Sequence, residues 1–108
     1  MENTYLPEIN LIGEKHVEHW LIENGYYNMA KEPLQQNEQG IIATGKVENI
    51  LIQVRTFLHP HKPFKLSDYE IDLLTRRALK LRLIAYAAYV TIDEDNNLAT
   101  DIYWERLN

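Results

Sequence analysis

Hydrophobic positions along this chain switch between two periods, and the switches mark out its elements. In residues 11–24, Val17, Trp20 and Leu21 fall on one stripe at helical spacing. Pro7 precedes this stretch, Asn10 is placed to cap its start, and Gly25 follows as a C-terminal stop. Residues 26–30 suit a short strand, whereas 31–39 are polar, contain Pro33 and read as a loop or an exposed hairpin. Residues 40–44 suit a second strand, 45–49 a turn, and the apolar run 50–57 carries the strongest strand signal in the chain. Pro60 and Pro63 exclude regular structure from 59–63. Ser67 then caps a helix running to about Leu83, with Asp68 and Glu70 in its first turn and Arg76, Arg77, Lys80 and Arg82 towards its end. Residues 84–92 form a strand rich in Tyr and Ala, 93–97 a turn, and 99–105 a last strand. The predicted order α-β-β-β-α-β-β is a three-stranded meander, a helical crossover and a further strand. It implies an α/β fold, with helices packed on a mixed sheet in one domain.

One strand breaks the apolar rule. Gln53 and Arg55 lie two residues apart within 50–57, so period-two geometry puts both on one face. A buried amide or guanidinium left without a partner costs about 1–3 kcal/mol. The pair therefore predicts a polar site on this strand, either working or vestigial.

Composition narrows the functional classes. Hydrophobic residues make up 45% of the 108 positions, enough for a folded core. The absence of cysteine excludes disulfides and thiolate metal sites. No apolar run approaches the roughly 20 residues needed to span a bilayer, and residues 1–4 lack signal-peptide character. A soluble cytoplasmic protein is the expectation. The net charge of −5 opposes broad, non-specific nucleic-acid binding. The charge is uneven, however: residues 46–82 hold eight of the eleven basic side chains and four of the sixteen acidic ones. A basic middle segment suits either a phosphate-facing surface or a solvated helix face.

Three features together resemble the restriction-endonuclease-like, or PD-(D/E)xK, superfamily, and within it the small Holliday-junction resolvases and YraN-type nuclease-like proteins. Gly13-Glu14 in the first helix, with Trp20-Leu21 and Asn24-Gly25-Tyr26 after it, is similar to the family's opening. The strand 50–56 is similar to the one bearing the (D/E)xK half-motif, and the helix from Ser67 into 85–90 is similar to the family's crossover. The resemblance implies metal-assisted phosphodiester hydrolysis, with carboxylates holding Mg²⁺ and a lysine beside the metal. Carried over residue by residue, Glu14 takes the helix carboxylate and is the one matched metal ligand. Gln53 stands for the second carboxylate and Arg55 for the lysine. No aspartate lies near Gly40, where the preceding strand should supply one. A glutamine carbonyl is a poor substitute for a carboxylate towards Mg²⁺, and arginine does not act as a base, although it can hold phosphate in a bidentate way. Glu38 or Glu48 could replace the missing carboxylate. Alternatively, Gln53 and Arg55 form a buried network with Glu14 that keeps the pocket's geometry without its chemistry.

Other residues carry weaker signals. His16 and His19, and likewise His59 and His61, are spaced to share a ligand but have no evident third partner. Tyr26, Tyr27, Tyr69, Tyr86, Tyr89 and Tyr103 suit either base stacking or sheet packing. Arg76, Arg77 and Lys80 suit phosphate contacts, with Arg77 and Lys80 on one helical face and Arg76 on the adjacent one. The sequence thus points first to a degenerate nuclease-like protein that binds DNA, RNA or another anionic ligand without efficient cleavage. Two further classes follow: a protein-interaction module, including a homodimer through the edge formed by 99–104, and a Mg²⁺-dependent endonuclease with rearranged ligands.

Overall fold

The computed structural model describes residues 7–34 and 38–108. Its elements are α1 (Pro7–Glu23), β1 (Tyr27–Pro33), β2 (Gln39–Thr44), β3 (Asn49–Leu58), α2 (Asp68–Leu81), β4 (Ile84–Ile92) and β5 (Tyr103–Arg106). The predicted order holds. The strands form one sheet in sequence order, antiparallel at every step except β3–β4, which is parallel across the α2 crossover. No helix among the described residues is long and apolar enough to cross a membrane.

Strand parity sorts the core into two layers. On one face Ile41, Ala43, Ile50, Ile52, Val54, Ala88, Val90 and Ile92 pack with Val17 and Leu21 of α1. On the other, Leu51, Ala85, Ala87 and Tyr89 pack with Leu74 and Ala78 of α2 and with Leu66 ahead of it. β3 and β4 are thus covered on both sides, which accounts for their nearly continuous apolar runs. Leu51, at full burial, illustrates the energy involved: truncation of such a side chain costs about 2–5 kcal/mol.

The helix ends follow their local chemistry, with two departures. Gly25 has φ +88, and the bonds Tyr26 N–H to Leu21 O (2.9 Å) and Gly25 N–H to Ile22 O (3.2 Å) close α1 as predicted. Asn10, expected as the cap of α1, lies inside the helix, because α1 already starts at Pro7. Its side chain is buried and donates to Glu14 one turn on (3.2 Å). Ser67 caps α2 in a full capping box with Glu70. α2 ends two residues earlier than expected, with Arg82 left-handed at φ 62 and the Leu83 N–H bonded to Ala78 O. Neither glycine nor asparagine stands there to announce that turn.

Two strands also differ from expectation. β1 extends through Lys31 to Pro33 and pairs antiparallel with β2, and Leu34 N–H bonds Glu38 O (2.8 Å), so the described part of 31–39 follows the hairpin alternative; residues 35–37 lie outside the described residues. Pro33 is tolerated because β1 is an edge strand. The final strand is Tyr103–Arg106 rather than 99–105. The chain touches β4 once at Ile92–Leu98, bonds Ala99 N–H to Thr91 O, leaves the ladder, and pairs again at Tyr89–Tyr103.

Candidate functional site

The polar pair on β3 nucleates a buried cluster on the α2 face. Gln53 is 1% exposed and faces Gly40 of β2 in the ladder. A side chain at Gly40 would start 3.0 Å from Leu51 Cδ1 and 3.2 Å from Ile52 O, so the strand position where the family places a carboxylate has little room for one. Glu38, two residues earlier and buried, reaches the space instead. It accepts from Gln53 Nε2 (3.0 Å) through Oε1, and from Arg55 through both oxygens: Nε to Oε2 and Nη2 to Oε1, each 3.0 Å. Glu70, from the first turn of α2, accepts from the same Arg55 Nη2 at 2.5 Å. Two carboxylates therefore converge on one guanidinium nitrogen. Gln53 Oε1 is buried and has no hydrogen-bond partner among the described residues.

Electrostatics locks this arrangement. Burial opposes the charge on Arg55, but the hydrogen bonds it donates to Glu38 and Glu70 outweigh it and hold its pKa above the ordinary arginine value. Burial likewise opposes ionisation of Glu70, yet bonds from the Ser67 backbone and Arg55 bring its pKa below the usual carboxylate range. Glu70 thus serves twice, as the capping-box acid of α2 and as the second anion on Arg55.

Glu14 does not join this cluster. It is 4% exposed, and its carboxylate accepts from Asn10 Nδ2 (3.2 Å) and Lys31 Nζ (3.0 Å); Lys31 also pairs with Glu18. The expected network of Glu14 with Gln53 and Arg55 is replaced by one built on Glu38 and Glu70. The reason is parity: α1 packs on the face carrying Ile52 and Val54, whereas Gln53 and Arg55 alternate onto the face carrying Leu51 and α2. Lys31 is raised in pKa because Glu14 and Glu18 together overcome the cost of burying it.

A Mg²⁺ site of the expected kind does not fit these donors. Glu14 and Glu38 serve opposite faces of the sheet, and each already bears a cation. Arg55, which keeps its proton, occupies the place where a divalent ion would meet Glu38 and Glu70. Among the described residues, no three His, Cys, Asp or Glu side chains group to hold a metal. His16 Nε2 instead meets Asn96 O (2.8 Å), His19 pairs with Glu23, and His59 and His61 lie exposed.

The remaining candidates spread out. Glu48 sits at the far end of β3, where it takes the Tyr86 hydroxyl (2.8 Å). Arg76, Arg77 and Lys80 line a single surface cleft of about 310 Å³ with Leu73. Arg76 pairs with Asp72 and Arg77 with Glu32 of β1. Tyr89 is buried, with its hydroxyl accepting from Leu66 N–H, while Tyr27, Tyr69 and Tyr103 are exposed. Sequence reasoning named Glu38 among possible replacements but missed the roles of Glu70 and Lys31. The capping-box spacing Ser67–Glu70 was the available signal for Glu70, and it points only to the helix end.

Comparison with solved structures bears on this geometry. Hjc of Archaeoglobus fulgidus, a Holliday junction resolvase from an archaeal hyperthermophile, superposes with a TM-score of 0.59 over 91% of this chain and 72% of its own, at 15% identity. The chain has the restriction-endonuclease-like nuclease fold. No protein-family model matches the sequence, and no curated protein matches it significantly. At this identity the likeness establishes the fold alone. Within that fold, β3 is the strand on which Gln53 and Arg55 stand, and in the cluster they form with Glu38 and Glu70 one guanidinium is shared by two carboxylates, which leaves a net negative charge.

Proposed function

We propose that this protein is a nuclease-like module that binds nucleic acid, or another polyanion, without efficient cleavage. The observation that carries the proposal is the clamp on Arg55. Its guanidinium is spent on Glu38 and Glu70, so neither the arginine nor the two acids is free for metal-assisted hydrolysis. The fold, shared with a protein described as a Holliday junction resolvase, supports a nucleic-acid partner.

The charge layout supports a particular surface. The connection and helix on the α2 side, residues 59–82, hold six basic and three acidic side chains, whereas α1 holds four glutamates and one lysine. The cleft of Arg76, Arg77 and Lys80 lies on that basic side. The Arg76–Asp72 pair there is exposed and worth little, about 0–1 kcal/mol, so phosphate can displace that carboxylate.

The test combines two measurements on the same preparation. Fluorescence anisotropy with linear and branched DNA and with RNA, across salt concentrations, should show binding that weakens with salt. Arg76→Ala and Lys80→Ala should each weaken it. Incubation of the same substrates with Mg²⁺ or Mn²⁺ should leave them uncut. Metal-dependent cutting lost in Glu38→Gln would establish the rearranged endonuclease instead, and absence of salt-dependent binding to every substrate would remove the nucleic-acid reading. A homodimer through the β5 edge, where Tyr103 is exposed, is the partner arrangement we add. Light scattering at high concentration that gives only monomer mass rules it out.

A further inference from the structure

A second, chemically distinct cleft lies on the opposite face of the sheet and at the other end of β3. It has a volume of about 250 Å³ and is lined by Trp20 of α1, Tyr26 just after α1, Ile50 of β3, Tyr86 of β4 and Trp104 of β5. Four aromatic side chains from four parts of the chain thus wall one small space. Their rings are mutually inclined: Trp20 and Trp104 lie 4.7 Å apart at 44°, and Tyr86 meets Trp104 edge-on at 84°. All four are only partly buried, unlike the closed core beneath them. Ordinary ligand sites run to roughly 300–1,000 Å³, so a cleft of this size suits a small molecule better than a nucleotide.

Beside the aromatic walls stands a carboxylate. Glu48, in the β2–β3 turn, accepts from the Tyr86 hydroxyl at 2.8 Å. Burial first, and then Glu48, raise the pKa of both Tyr26 and Tyr86, so both phenols stay protonated. The cationic neighbour of Glu48 pairs with it only at long range: Arg106 Nη1 is 3.9 Å from Glu48 Oε1, on a side chain 56% exposed whose Nε donates to Asn108 O (2.6 Å).

Inclined aromatic faces concentrate partial negative charge, and a nearby carboxylate adds a full one; together they select an apolar-shelled cation over a neutral molecule. We infer that this cleft binds a small quaternary ammonium compound of the choline class, with the methylated nitrogen against Trp20, Tyr86 and Trp104, and Glu48 supplying the opposing charge. This assignment does not depend on the nucleic-acid proposal, since none of its residues belongs to the Arg55 cluster or to the basic cleft.

The test uses intrinsic fluorescence, because the chain's two tryptophans both line the cleft. Titration of the full chain with choline should give a saturable change. 3,3-Dimethyl-1-butanol, its uncharged isostere, should give at least about tenfold weaker binding. Glu48→Gln should weaken choline binding about five- to tenfold, and Arg106→Gln, which removes the competing cation, should tighten it. Circular dichroism of both variants confirms their folding, and both substitutions are on partly exposed side chains. An equal response to the isostere, no saturable change at tens of millimolar choline, or indifference to Glu48→Gln would overturn the inference. Binding of a trimethyl-lysine peptide far tighter than choline would also overturn it, by moving the ligand from a small molecule to a protein tail.

Discussion

At the scale of single residues, the Arg55 cluster is a balance of charges that only works complete. Glu38 is 5% exposed, and its two oxygens together accept one bond from Gln53 and two from Arg55. Removing the arginine strands a buried carboxylate, so Arg55→Ala should cost about 3 kcal/mol in urea unfolding. Glu38→Gln combined with Arg55→Ala should cost measurably less than the two changes separately, with a coupling above about 1 kcal/mol. Additive costs would show that the contacts contribute no joint energy. Glu70 gives the pH dependence. Its pKa is lower in the folded chain than in the unfolded one, so the unfolded state takes up its proton first on acidification. Its stabilising effect is therefore complete at neutral pH and is lost as pH falls through its folded value. Glu70→Gln, which retains a side chain able to cap α2, should be less stable than wild type at pH 7, with the gap closing below about pH 4. A gap that widens in acid contradicts this assignment.

At the scale of elements, close packing and turn chemistry set the tolerances. A side chain added at Gly13 would lie 1.7 Å from Thr56 Oγ1 and 2.8 Å from Thr56 Cβ, so α1 can sit on β3 only because this residue lacks one. Gly13→Ala should therefore destabilise by about 1–3 kcal/mol. Thr56→Ala, which deletes the nearest atom, should recover part of that loss in the double variant. No recovery would mean that the helix shifts as a whole rather than straining at this contact. The C-terminus of α2 offers the reverse case. Arg82 is left-handed at φ 62, a conformation that costs a non-glycine residue about 1–2 kcal/mol. Arg82→Gly should raise the unfolding midpoint, and a lowered midpoint would show that the guanidinium's contacts and the greater freedom of the unfolded chain together outweigh the backbone strain. At the other end, Ser67→Ala should cost about 1 kcal/mol, since it removes the acceptor for Glu70 N–H.

At the scale of the whole molecule, the sheet separates charge. Folding places the glutamate-rich α1 on one side and the basic connection and α2 on the other, although the chain as a whole is acidic. A polyanion should therefore approach the α2 side only, and the logarithm of the binding constant should fall linearly with the logarithm of salt concentration. Each lost basic contact in Arg76→Ala or Lys80→Ala should reduce the slope by about 1. An unchanged slope would place the contact elsewhere. The same partition separates the two clefts: the aromatic one, on the α1 face, should bind its ligand with affinity unaffected by these substitutions.

Short-range chemistry was enough to predict much of this protein. Hydrophobic periods gave the element order, Gly25 and Ser67 placed their helix ends, and the Gln53–Arg55 spacing located the buried polar cluster. These features depend on neighbours within a few residues, and such information is present in the linear chain. The errors came where distant segments decide. Arg82 ends α2 without a glycine because Leu83 is drawn into the core layer, and β5 shortens because the chain leaves β4 between Leu98 and Tyr103. The choice of acid for Arg55 was also out of reach. Glu14, Glu38 and Glu48 are equivalent as letters, and only the faces on which α1, the β1–β2 hairpin and α2 pack send Glu38 and Glu70 to the arginine, Glu14 to Lys31 and Glu48 to Tyr86. The aromatic cleft likewise joins residues from Trp20 to Trp104, a juxtaposition that exists only once the sheet has formed and α1 has closed over it.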